Sequence, residues 1–183
     1  QNLAIPDSGE WSEEYSQADR NRSRMFLENA VSPAESLMEH LMNQASIHVR
    51  NEIERKLFLS VISSLDENGF LAYDPGDIAR SAGTGLDRIS SVIKIVNSFD
   101  PVGCAARDSM ESLLIQSRYF YPEDVILHKI LGDHFNDLER LDYDTITRAL
   151  KIDLPDLLAR TRLIQGLDPF PGNRYSRRQI RYI

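Results

Sequence analysis

The chain has 183 residues, with 21 Lys+Arg against 28 Asp+Glu for a net charge of −7, and 42% of its residues are hydrophobic. That balance fits a soluble globular protein of one large or two small domains, and its sign argues against bulk-charge binding to nucleic acid, which favours a basic partner. A single cysteine, Cys104, excludes an internal disulfide and a multi-cysteine metal site, and neither a bilayer-spanning run nor a secretory leader is read in the chain.

Residues 1–31 carry Asp7, Glu10, Glu13, Glu14 and Asp19 without sustained apolar periodicity, and read as an acidic, largely disordered linker. Trp11 and Tyr15 are either chance aromatics in that tail or a short segment that folds onto a partner. Order is expected to begin at Ser32-Pro33-Ala34-Glu35, a capping-box pattern, followed by Leu37, Met38, Leu41, Met42 and Ala45 at helical spacing. A second helix is predicted over about 51–65, with Ile53, Leu57, Phe58, Val61, Ile62 and Leu65 on its apolar face and Asp66-Glu67-Asn68-Gly69 as its stop. Asp74-Pro75 opens a third helix, and a fourth carries Leu86, Ile89, Ile93, Val96 and Phe99 up to the break at Asp100-Pro101-Val102-Gly103. A fifth helix is predicted over about 104–119. A sixth restarts at Tyr121-Pro122 and includes Leu127, Ile130, Leu131, Phe135 and Leu138; a seventh covers about 143–150, and an eighth opens at Asp153 and ends at Asp168-Pro169-Phe170-Pro171-Gly172. No segment reads as a strand. The expected fold is all-α, about eight helices in two packed helical-bundle subdomains, 32–115 and 116–173. Arg174, Arg177, Arg178 and Arg181 make residues 174–183 a basic linker, and removing these four cations from the net −7 leaves −11 on the other 173 residues.

A shift of 68 positions superposes Ile78 on Ile146, Arg80 on Arg148, Leu86 on Leu154 and Asp100-Pro101 on Asp168-Pro169. Each copy is a short helix, a turn, a longer helix and an Asp-Pro stop, a helix-turn-helix shape. Leu86 and Leu154 are expected in the core of each pair. The pattern admits direct DNA reading, yet Asp87 and Asp156 stand at the N-terminal ends where phosphates would approach, which favours a structural or protein-binding pair. Other chemistry finds no residues: His40, His48, His128 and His134 offer no i, i+4 metal pair, Cys104 has no neighbouring base in sequence, and phosphate-loop and dinucleotide glycine patterns are absent.

Four ordered blocks carry a resemblance. Ser36-Leu37-Met38-Glu39-His40-Leu41 with Gln44, then Leu65-Asp66-Glu67-Asn68-Gly69-Phe70-Leu71, then Phe99 through Asp108 around Asp100-Pro101-Val102-Gly103, and finally Leu167-Asp168-Pro169-Phe170-Pro171-Gly172 resemble the core-binding region of bacterial sigma-54-type RNA polymerase sigma factors. The resemblance implies a non-enzymatic, cytoplasmic module without cofactor, membrane or small-molecule ligand, which docks on core RNA polymerase for activator-dependent transcription initiation. It also implies that promoter DNA and the activator ATPase are met through regions outside this chain, expected to be a segment of a longer protein. Asp66, Gly69, Asp100, Pro101, Gly103, Asp168, Pro169 and Gly172 are expected in turns. Glu39, Gln44, Arg50, Glu54 and Arg107 are the candidate polymerase contacts, Arg107 alternatively capping the Asp100 turn. A helix-turn-helix DNA-binding regulator and a helical scaffold for another partner stand as alternatives.

Overall fold

The computed structural model describes residues 35–176. The expectations for Trp11, Tyr15, the acidic linker and residues 177–183 lie outside the described residues, as does the Ser32 cap. Within them every regular element is helical: α1 Leu37–Ala45, α2 Glu52–Ile62, α3 Pro75–Ser81, α4 Leu86–Val96, α5 Ser109–Phe120, α6 Val125–Asp133, α7 Phe135–Glu139, α8 Tyr143–Leu150, α9 Leu154–Gln165 and α10 Asn173–Ser176. The only extended pairing among the described residues is an isolated bridge between Leu65 and Leu71.

The helix starts follow from side-chain acceptors. Helix α1 opens on a capping box formed by Ser36 and Glu39, one turn beyond the Ser32 pattern. Ser36-Leu37-Met38-Glu39 repeats the same Ser-x-x-Glu signature, and Glu35 instead accepts from Asn43 Nδ2 at 2.8 Å. Asn51, Asp74, Asp108, Asp124, Asp142 and Asp153 cap α2, α3, α5, α6, α8 and α9 through side-chain oxygens that accept first-turn amides. Two expected helices are corrected. The fifth begins at Ser109, not near 104, because Gly103 and Ala105 take left-handed backbone angles (φ 93° and 61°) and turn the chain before Asp108 can cap. The sixth divides at His134, whose φ of −125° and ψ of 19° separate α6 from the short α7.

Packing produces two apolar clusters. The first joins Leu41 of α1, Phe58 and Val61 of α2, Ile78 of α3, and Ile89 and Val96 of α4. The second joins Leu113 of α5, Leu127 and Ile130 of α6, Ile146 of α8, and Leu157 of α9. Helix α5, grouped by sequence with residues up to 115, therefore packs with the second cluster. The helix pairs α3–α4 and α8–α9 are the sequence repeat, and Ile89 and Leu157 are both fully buried in them.

One feature of the repeat is reversed: Leu86 and Leu154 are 51% and 48% exposed. Each is the first residue of its helix, just after the cap, so it faces outward although its spacing to the next buried position fits a core stripe. Ile53, the second residue of α2, is 64% exposed for the same reason.

Candidate functional site

The turn motifs converge. In the acidic turn, Asp66 Oδ1 accepts from the amides of Asn68 (2.9 Å) and Phe70 (2.8 Å), and Gly69 holds φ 89°, a conformation that favours glycine. The Gly69 carbonyl accepts from Ala105 N–H at 2.8 Å, and the Ala106 carbonyl from Leu71 N–H at 2.9 Å. This ties the acidic turn to the first Asp-Pro turn. Gly103 sits against α5: a Cβ there would lie 2.4 Å from Ser112 Oγ and 2.9 Å from Gln116 Nε2. The second Asp-Pro turn closes the group, because Gly172 N–H donates to the Asn68 carbonyl at 2.9 Å.

A matched pair of glutamines holds the two stops. Gln44 on α1 accepts from Asp100 N–H (2.8 Å) through Oε1 and donates to the Asp100 carbonyl (2.6 Å) through Nε2. Gln116 on α5 does the same at Asp168, with 2.9 Å and 2.7 Å. The repeat therefore extends beyond the helix pairs: α1 and α5 each lend a side-chain amide that substitutes for a backbone partner, satisfying the groups a helix end leaves open. Gln116 is 3% exposed and also donates to Ser112 Oγ at 3.1 Å. No sequence period exposes this pairing, since partners 56 and 52 residues apart share no local signature.

Asp66, Gly69, Gly103, Asp168 and Gly172 thus meet at one joint between the two clusters. The expected contact residues are more scattered. Glu39 serves the α1 cap, and its carboxyl is held below the usual range by hydrogen bonds from the Ser36 amide and hydroxyl. The amide of Gln44 is engaged by Asp100. Arg107 leaves the Asp100 turn alone and pairs with Glu111, Nε to Oε2 at 3.1 Å. Arg50 is exposed and its backbone amide donates to Glu54 Oε2 at 2.8 Å.

Near Glu54 a groove of about 550 Å³ runs between α2 and α4, with Ile53, Leu57, Asp87 and Arg88 among its walls. Ile53 puts apolar surface in that groove, and Leu86, the first residue of α4, is exposed on the same bundle. In the second, Val125 and Leu154 are 59% and 48% exposed at the starts of α6 and α9. These outward apolar side chains were missed by sequence reasoning; their one signal is position, immediately inside a helix cap.

Reactive chemistry is not assembled among the described residues. Cys104 is fully buried, and burial first, then the charges of Asp100 and Asp168, push its thiol up to about 12, which keeps it un-ionised at neutral pH. No group of three or more His, Cys, Asp or Glu among the described residues is placed to hold a metal. His40 lies between Glu35 (3.2 Å) and Asp100 (3.4 Å), His48 stacks towards Phe99, His128 meets the Tyr121 carbonyl, and His134 pairs with Asp137.

Fold and surface together define an all-helical domain: two similar helix bundles joined at their turns, each with apolar side chains facing solvent. The family model described as "Sigma-54 factor, core binding domain" matches residues 26–183. The chain is 31% identical over 155 residues to an RNA polymerase sigma-54 factor of Escherichia coli (strain K12), covering 81% of this chain and 32% of that protein. It is 29% identical over 160 residues to the RNA polymerase sigma-54 factor of Azotobacter vinelandii, covering 84% and 32%. A solved structure titled "Structure of the Core Binding Domain of sigma54" superposes with a TM-score of 0.51 at 22% identity, over 76% of this chain and 95% of that one. The chain belongs to the sigma-54 factor core-binding domain family. It spans about a third of the length of the curated relatives it matches.

Proposed function

We propose that this segment docks on core RNA polymerase as the core-binding part of a longer sigma factor, in the cytoplasm, for activator-dependent transcription initiation. Promoter DNA and the activator ATPase are met through other parts of that longer protein. The observation that carries the reading is the family match over residues 26–183. The surface is compatible with it: mixed charge around a few outward apolar side chains is the make-up of a protein interface, where apolar anchors supply affinity and charges supply register. Contact is assigned to the outward residues at the helix starts, Ile53 and Leu86 in the first cluster and Val125 and Leu154 in the second, flanked by Arg50 and Glu54. Asp87 and Asp156 lie in the first turns of α4 and α9, where they disfavour phosphate and support a protein partner over DNA.

Size-exclusion chromatography of the protein mixed with purified core polymerase tests this. Co-elution at micromolar concentration is expected. Separate elution of a folded protein overturns the reading, and retardation of duplex DNA by the protein alone would favour the helix-turn-helix alternative.

A further inference from the structure

Residues 168–175 follow the second bundle in sequence; Asp168 stays on Gln116 of that bundle, while Phe170, Gly172 and Tyr175 lie on the first. The Gly172 amide donates to the Asn68 carbonyl at 2.9 Å, and a Cβ at Gly172 would stand 2.5 Å from both the Asn68 carbonyl carbon and the Gly69 nitrogen. Those neighbours are backbone, so no side-chain movement relieves the overlap. The Phe170 ring centroid is 6.1 Å from that of Phe70, and Tyr175 is 4.9 Å from His40 on α1. Asp168 holds the segment on itself, accepting from Phe170 N–H at 3.0 Å and from Arg174 Nε at 3.2 Å. None of residues 168–175 belongs to either apolar cluster. Pro171 is fully buried at the joint, outside both clusters.

We infer that residues 168–175 form a strap that locks the two bundles into one preformed docking body, so that a partner meets both outward faces at a fixed mutual orientation. The identity of that partner rests on the polymerase reading above; the lock itself does not. A fixed orientation makes the second contact intramolecular once the first has formed, and removes the ordering that a loose pair would undergo on binding. The acidic turn gains a reason for its composition. Asp66 shapes the loop that presents the Asn68 carbonyl, Gly69 supplies the left-handed bend, and Gly172 is the strap residue small enough to lie against it.

The experiment places spin labels at Lys56→Cys on α2 and Arg148→Cys on α8, both exposed, with Cys104 buried and unlabelled. The unsubstituted strap should give one narrow interlabel distance. Gly172→Val should broaden the distribution while helix content is retained, and should weaken binding to core polymerase about tenfold or more. Tyr175→Ala, which removes the His40 contact without crowding any backbone, should shift both readouts in the same direction by less. A narrow distance in both variants overturns the lock, as does loss of helix in either bundle, because neither Gly172 nor Tyr175 belongs to an apolar cluster. Broadening with unchanged affinity overturns the claim that the partner reads the fixed orientation. A parent protein that fails to bind polymerase overturns the docking reading instead, and the distance measurement, which needs no polymerase, still decides the lock.

Discussion

The two bundles use one device in two settings. Each ends at an Asp-Pro stop whose backbone is held by a glutamine from its first helix, but Gln116 is 3% exposed and shares Ser112, whereas Gln44 is only part-buried. The loops after the second helices also differ. In the first bundle that loop is the acidic turn at Asp66–Gly69, drawn inward beneath Gly172; in the second it forms α7 and leaves Leu141 67% exposed at φ 59°. A repeated scaffold has thus been made asymmetric at one loop, and that loop is where the bundles join. The lesson is that equivalent positions carry equivalent geometry but unequal energy, set by how far water can reach the polar groups involved.

The sharpest way to break the comparison is through the cores. Leu41→Ala and Leu127→Ala, both at fully buried positions, should each cost about 2–5 kcal/mol. Hydrogen exchange should show the loosening concentrated in the bundle that carries the change. Equal loss of protection in both would mean that the clusters are one cooperative core.

The glutamines come next. Gln116→Ala strips partners from the part-buried Asp168 amide and carbonyl and should cost about 1–3 kcal/mol, whereas water can replace Gln44 at the exposed Asp100, so Gln44→Ala should cost about 1 kcal/mol or less. Equal costs in denaturant unfolding would contradict the burial argument.

Acid should separate the bundles further. Burial raises the Asp124 carboxyl, but the Leu127 amide and Arg160 outweigh it and hold the group below the ordinary range. A depressed carboxylate stabilises the fold above its unfolded value of about 3.9, and the contribution disappears as pH falls through the folded value. Asp124→Asn should therefore flatten the acid limb of the melting profile below about pH 4; an unchanged limb would show that other carboxylates govern it.

The smallest stability effect is expected at the outward leucines. Leu86→Asp and Leu154→Asp should each change stability by no more than about 0.5 kcal/mol, and the new acids fall where a helix N-terminus favours negative charge. A large drop in melting temperature would mean that these side chains are packed after all.

Much of the helical layout was legible from local chemistry. Asp153 and the period of Leu157 and Ile164 delimit α9, and Asp74-Pro75 starts α3, because caps and stripes act over one or two turns. Leu86 was misplaced because periodicity reports a direction around the axis and not how far a neighbouring helix extends along it. The α6–α7 break at His134 comes two residues after Gly132, a weak helix former that the run of apolar positions through Leu127, Ile130, Leu131 and Phe135 overrides in the sequence. The joint was the least legible part. Asp66, Gly103 and Gly172 each read as turn residues, but that Gly69 and Gly172, more than a hundred positions apart, touch through backbone is a tertiary fact with no local signal. Gln44 reads as a surface contact in the sequence for the same reason: its partner, the Asp100 backbone, is remote in sequence.

The central claim is that a folded helical body docks through outward apolar side chains on both bundles. Titrating fluorescently labelled protein with core polymerase, for the parent and for the Leu86→Asp/Leu154→Asp variant, tests it most directly. Saturable binding by the parent, and binding weakened at least about tenfold at an unchanged melting temperature in the variant, is the expected result. Parent and variant binding with equal affinity would contradict it.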